Sequence, residues 1–186
     1  MFFATNALVK RICLGKIELS FTGCISYTKC KMEGACGTIV PSDNPLVVIK
    51  RVHKRPGPHR RTKSHRAPAQ CSIQSWAHTL CKPSNGYSIL YVPRAWDPEM
   101  HQYKMDLINT ETLLVNEGIP VAELQKFYRD AKLEGIFPCD YELYQQPDGR
   151  VAMVDFDKFG RWLTDGTVLF PWGQILSRPL NRFGED

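Results

Sequence analysis

Two charged side chains close apolar runs in this chain: Lys50 ends Val47-Val-Ile49, and Asp155 ends Val151-Ala-Met-Val154. A charge at the end of a buried strand needs a partner, because burying it alone is costly. A lysine there is either a solvated strand end or a ligand for phosphate, and an acid there calls for a metal ion or a hydrogen-bond donor. Gly34-Ala-Cys-Gly37-Thr-Ile39 adds two glycines in a turn between strand-like runs. Lacking Cβ, glycine lets backbone N–H groups come close to phosphate oxygens. Asp140 and Gln145 stand five residues apart, before the Asp155 strand. The plainer alternative is that Asp140 and Asp155 only cap and satisfy loops.

The elements that must position these groups follow from local pattern. β-branched residues on both sides of Pro41-Ser-Asp-Asn-Pro45 predict an antiparallel strand pair over 33–40 and 46–50. A helix is expected over 69–80, and strands over 87–92 and 102–108. Residues 120–134 carry the clearest helical signal. Pro120 suits the first turn, Val121, Leu124, Tyr128 and Ala131 share a face, and Gly135 supplies the C-terminal cap. A closing hairpin is predicted from 141–146 and 150–156 around Pro147-Asp-Gly149. Centring its turn on Asp148-Gly149 pairs residue 144 with 153 and 142 with 155, with Gln145 near the opening where Asp155 points. Strands first and the long helix late predict an α+β domain on an antiparallel sheet.

At 186 residues, 43% apolar and 23% charged, the chain has the composition of one globular domain with a core. No apolar run approaches the roughly 18 residues of a membrane span, so no membrane partner is expected. Residues 1–30 read as an N-terminal extension or first strands. Lys10, Arg11 and Lys16, with no acid before Glu18, also admit a mitochondrial presequence. Seven scattered cysteines without a Cys-x-x-Cys pair argue for free thiols in a reducing compartment, hence an intracellular, cytoplasmic or nuclear protein. Residues 50–66 hold eight Lys or Arg (Lys50, Arg51, Lys54, Arg55, Arg60, Arg61, Lys63, Arg66) and no acid. Subtracting those eight from the net charge of +5 leaves the rest at −3. This run reads as an exposed loop, a localisation signal or a contact for nucleic acid. No aromatics interleave with its charges as stacking on bases would need.

Taken in order, the pieces resemble the protein-kinase-like family. Gly34-Ala-Cys-Gly37-Thr-Ile39 resembles the second half of its glycine-rich loop, and Val48-Ile-Lys50 the strand whose lysine holds the α- and β-phosphates. Tyr103-Lys-Met105-Asp106-Leu-Ile108 resembles the segment joining the lobes, with Met105 as gatekeeper. Asp140-Tyr-Glu-Leu-Tyr-Gln145 has the spacing of the catalytic loop, and Asp155-Phe-Asp157 is similar to the metal-binding D-F-G. The likeness covers about residues 30–160. It implies an N-lobe at about 31–108, a reduced helical C-lobe at about 109–186, and ATP and Mg²⁺ as ligands. Lys50 and Asp140 would be catalytic, Asp155 and Gln145 would hold metal, and Gly34, Gly37, Ile39, Lys50, Met105, Asp106 and Ile108 would line the nucleotide. A protein hydroxyl would accept phosphate. A pseudokinase acting by binding a protein partner is the alternative.

The pattern is departed from in several places. Met32 stands for the first loop glycine, Pro138-Cys139 for His-Arg, Gln145 for asparagine and Asp157 for the last glycine. Where the lysine's helix glutamate belongs there are only Gln70 and Gln74, which predicts a poorly fixed Lys50. Asp140 to Asp155 is short by a few residues, so Asp140 also fits the metal-binding position, which would leave no base. Only 26 residues follow Gly160, too few for the family's activation segment and helical platform.

Overall fold

Alternation in Val47–Val52 sets the architecture: Val48, Lys50 and Val52 turn inward while Arg51 turns to solvent. A computed structural model describes residues 32–33, 37–52, 67–115, 117–169 and 175–176. All of them fall in one compact unit, Lys31–Asp186. The expected 1–30 extension, Gly34 and the basic residues from 53 to 66 lie outside the described residues.

Strands β1 (Met32–Glu33), β2 (Gly37–Pro41), β3 (Val47–Val52), β5 (Ala95–Trp96) and β6 (Gln102–Asp106) form an antiparallel sheet in the order β1-β2-β3-β6-β5. The β2–β3 turn is fixed by its own polar side chains. Asn44 Oδ1 accepts from the Leu46 N–H at 2.9 Å, and Ser42 Oγ donates to the Val47 carbonyl at 3.0 Å. Helix α1 (Ala67–Leu80) begins two residues before the expected start, with Pro68 in its first turn. It packs on β5 and β6 around Val48, Val52, Ala67, Cys71, Ala95, Tyr103 and Met105.

Gly37 is needed because β2 and β3 approach closely opposite Val52. A methyl group there would stand 2.7 Å from the Arg51 carbonyl oxygen. Gly37→Ala should therefore cost about 1.5 kcal/mol, as forced overpacking does. Denaturant unfolding measures it, and an unchanged midpoint would count against this packing.

The second core joins helix α2 (Val121–Leu133) to the hairpin β8 (Glu142–Gln145) and β9 (Val151–Val154) through Leu124, Phe127, Leu143, Met153, Phe156 and Phe159. The buried face of α2 is Leu124, Phe127, Tyr128 and Ala131, so Phe127 takes the place expected for Val121, which is exposed. Pro120 precedes the first turn, and Gly135, at φ +69°, follows the last as expected. Short strand β4 (Leu90–Tyr91) pairs parallel with β9, so this sheet is mixed where only antiparallel pairing was expected. A third sheet, β12-β11-β10-β7, is built from Ile136–Phe137 (β7), Gly160–Trp162 (β10), Val168–Leu169 (β11) and Ile175–Leu176 (β12). The chain is thus an α+β protein, and the part expected as a reduced helical C-lobe holds, among the described residues, one α-helix and two small sheets. Also among the described residues, no helix is long and apolar enough to cross a membrane.

The hairpin register differs by one residue from expectation. Tyr144 pairs with Ala152 and Glu142 with Val154. The loop is Pro147-Asp148-Gly149, closed by Gln146 and Arg150, with Gly149 at φ +85°. Proline fits the first turn position and glycine the left-handed third, which makes a three-residue loop instead of a two-residue one.

Candidate functional site

Lys50 sits in the middle row of the first sheet, with Ile39 opposite on β2 and Tyr103 opposite on β6. Directly paired residues share a face, so Ile39, Lys50 and Tyr103 point the same way. Met105 and Val48 form the adjoining row. Three of the expected nucleotide-binding residues, Ile39, Lys50 and Met105, are therefore brought onto one face, with Gly37 at its end. Asp106 and Ile108 are not placed with them. Asp106 is in an ion pair with Arg94 at 3.4 Å, and Ile108 lies past the end of β6, half-buried. The peptide N–H groups of Asp106 and Leu107 are also committed, to the carbonyls of Arg94 and Leu46.

The Lys50 side chain is only 10% exposed, and its ammonium donates to Asp155 Oδ1 at 3.2 Å. The two charges that the sequence placed at separate strand ends are thus one ion pair across 105 positions. Burial alone would drive the Lys50 pKa down. The charge Tyr103 would carry as a phenolate, followed by the Asp155 and Asp157 carboxylates, reverses this, and the net direction is up. Burial likewise pushes the Tyr103 phenol up, so at neutral pH it is a neutral hydroxyl and Asp155 is the charge that holds Lys50.

Lys50 is held by Asp155 and not by a group on the helix, where the sequence offered no glutamate. Tyr103 donates to Gln74 Oε1 at 3.1 Å, and Gln74 Nε2 donates to the Pro93 carbonyl at 2.9 Å. Where a glutamate was looked for, the helix contributes the Gln74 amide, which is bonded to the Tyr103 phenol of β6. One turn earlier, Gln70 is also buried, and neither of its amide atoms has a hydrogen-bond partner among the described residues.

Asp140 and Asp155 both adopt positive φ, +53° and +72°. Aspartate tolerates this region better than most residues, and such strain persists where the surroundings over-determine it. Asp140 is 56% exposed and ion-paired with Lys158, three residues past Asp155. Asp157 is buried and acts electrostatically on Lys50.

Gln145 is not brought to Asp155. It pairs with Val151 at the turn end of the hairpin, and its amide donates to the Arg150 carbonyl at 3.2 Å. Four strand residues, about 13 Å, separate Val151 from Asp155. Glu142 is better placed. Tyr144 donates to Glu142 Oε2 at 2.9 Å, and burial, then the Glu142 and Asp155 charges, push the Tyr144 phenol up. One phenol thus senses both carboxylates. Among the described residues, no group of three His, Cys, Asp or Glu side chains is arranged to hold a metal ion by itself. Mg²⁺ in nucleotide sites is held by one or two carboxylates plus phosphates; Asp155 is one-third exposed, and Tyr144 links it electrostatically to Glu142.

Sequence reasoning missed Glu142, Tyr144 and the role of Gln146. The buried Gln146 amide accepts from the Asn109 N–H and donates to the Asn109 carbonyl, both at 2.9 Å, clamping the segment that leaves β6. A glutamine beside a Pro-Asp-Gly turn gave no sign of this. The three described cysteines, Cys71, Cys81 and Cys139, are free.

No family model matches the chain, and no curated protein or solved structure matches it either.

Proposed function

We propose that this is a kinase-like domain that binds ATP with Mg²⁺ and transfers the terminal phosphoryl group to a protein hydroxyl. The observation that carries the reading is the ion pair of buried Lys50 with the one-third-exposed Asp155, Lys50 lying on the sheet face that also bears Ile39 and Met105. A fixed ammonium on an apolar wall suits a phosphate bound beside an adenine ring. Asp155 and Glu142 are the carboxylates that would hold Mg²⁺, which when bound neutralises charge on the β- and γ-phosphate oxygens. Asp140, exposed and at positive φ, orients the acceptor hydroxyl.

A second reading, a pseudokinase acting on a protein partner, is favoured by one feature: Asp155 is already neutralised by Lys50, and Gln74 stands where an acid would free it. The basic run contributes less charge to a nucleic-acid contact than its count implies, because Lys50 is buried in the ion pair.

A thermal-shift titration with ATP, with and without Mg²⁺, tests the proposal. At about ten times the dissociation constant, binding adds about 1.4 kcal/mol and raises Tm by about 3–5 °C. A Mg²⁺-dependent shift with phosphate transfer to a generic protein acceptor supports the enzyme. A shift without transfer supports the pseudokinase, and no shift with either ends the nucleotide reading.

A further inference from the structure

The polarity of the hydrogen bonds around Lys50 is determined by one fixed end. The Pro93 carbonyl can only accept, so the group facing it at 2.9 Å is the Gln74 NH₂, and the Gln74 carbonyl oxygen is turned to Tyr103. That oxygen can only accept, so Tyr103 directs its one proton to Gln74 at 3.1 Å. The lone pairs of the Tyr103 oxygen are left for a donor, and the donor opposite it in the sheet is Lys50. Tyr103 and Gln74 are each about 1% exposed, so no water competes for these bonds.

We propose that Tyr103 and Gln74 are the positioning residues of Lys50, a neutral relay from α1 that fixes the ammonium for a phosphate group without neutralising it. This rests on the nucleotide reading for the identity of the ligand, but not for the relay itself. A carboxylate on the helix would hold the ammonium equally firmly and cancel its charge. Tyr103 presents a neutral oxygen to the ammonium, so with Asp155 engaged by a ligand the ammonium would keep its charge for phosphate oxygens. Asp157 is the other acid acting on Lys50.

The relay also predicts an asymmetry. Gln74→Glu keeps size and the acceptor for Tyr103 but replaces the donor to Pro93 with an oxygen facing a carbonyl oxygen. It should weaken the site, whereas a helix that merely lacked its carboxylate would gain from the same change.

The test uses the full chain, with isothermal titration by Mg-ATP and NMR of the lysine side chains, Lys50 being assigned from Lys50→Met. Tyr103→Phe should leave the fold intact, weaken ATP binding about tenfold through loss of a bond to a charged group, and speed hydrogen exchange of the Lys50 ammonium with a shift of its resonance. The Tyr103→Phe, Gln74→Leu double variant removes both polar partners together. It strands the Pro93 carbonyl, so it should be less stable than Tyr103→Phe, yet show the same Lys50 signal. If Tyr103→Phe leaves the Lys50 resonance, its exchange and ATP affinity as in the wild type, the relay is overturned. If the wild type binds no ATP, the proposed function fails, and the Lys50 resonance alone decides: moved in Tyr103→Phe, the relay stands; unmoved, it falls.

Discussion

Asp155→Asn is expected to destabilise the free protein by about 3 kcal/mol, the cost of leaving a buried ammonium without its carboxylate. The ammonium left behind is 10% exposed, and Asp157 is the other acid that acts on it. Lys50→Met should cost far less, because the carboxylate it leaves is one-third exposed and can be solvated. Combining the two should recover much of the loss in Asp155→Asn, since no charge is then stranded. Asparagine tolerates the positive φ of Asp155 as aspartate does, so backbone strain does not confuse the comparison.

The pH dependence has a definite sign. In the wild type the folded Lys50 pKa is raised, so its contribution is complete below the unfolded value of about 10.4 and is lost only as pH rises through the folded one. In Asp155→Asn burial acts with less opposition and lowers the pKa, so the penalty fades as pH rises. Urea unfolding at several pH values between neutral and 10 should show the gap closing. A small loss that does not vary with pH would mean that the ion pair contributes little.

Glu123→Ala should cost about 2 kcal/mol, because one carboxylate gathers a run of backbone donors. Its oxygens accept from the N–H groups of Ser88 at 2.9 Å, Ile89 at 3.1 Å and Leu90 at 2.6 Å, and from the Ser88 hydroxyl at 2.8 Å. Water can replace the exposed partners, but Leu90 is buried and its N–H would be left without an acceptor. Leu90 is in β4, which pairs with Val151 of β9, the strand that delivers Asp155. The substitution should therefore also loosen the candidate site.

Burial would raise the Glu123 pKa, but the backbone and hydroxyl bonds outweigh it and the net direction is down. A depressed folded pKa gives stability that is present above the unfolded value of about 4.3 and is lost as pH falls through the folded value. The wild type should lose this share in acid, while Glu123→Ala should not. Parallel acid-unfolding curves for the two proteins would refute the assignment.

Local physics was enough for the elements. The β-branched runs on either side of Pro41–Pro45, the helical face with its Gly135 stop, and the Pro-Asp-Gly hairpin each state a period or a turn within a few residues, and each element is present. The sequence also determined which residues carried a charge into an apolar setting, Lys50 and Asp155, because such a placement is visible in the run that precedes it. Local pattern could not say that they meet; only the resemblance implied a shared site for the two, and they do lie together. That needs the first sheet and the β8–β9 hairpin to be brought together across 105 positions, which no local pattern encodes.

The errors have the same origin. Whether Pro147-Asp-Gly149 closes as two or three residues shifts the register by one, and that shift moves Gln145 one residue farther from Asp155 than expected, opposite Val151. Val121 and Phe127 both fit a helical face, and the packing of Trp76 and Phe159 around Phe127 chose between them. The absence of an acid on α1 was legible, but its meaning was not. A glutamine's role is set by what faces each end of its amide, and Pro93 and Tyr103 come to Gln74 only through the tertiary fold.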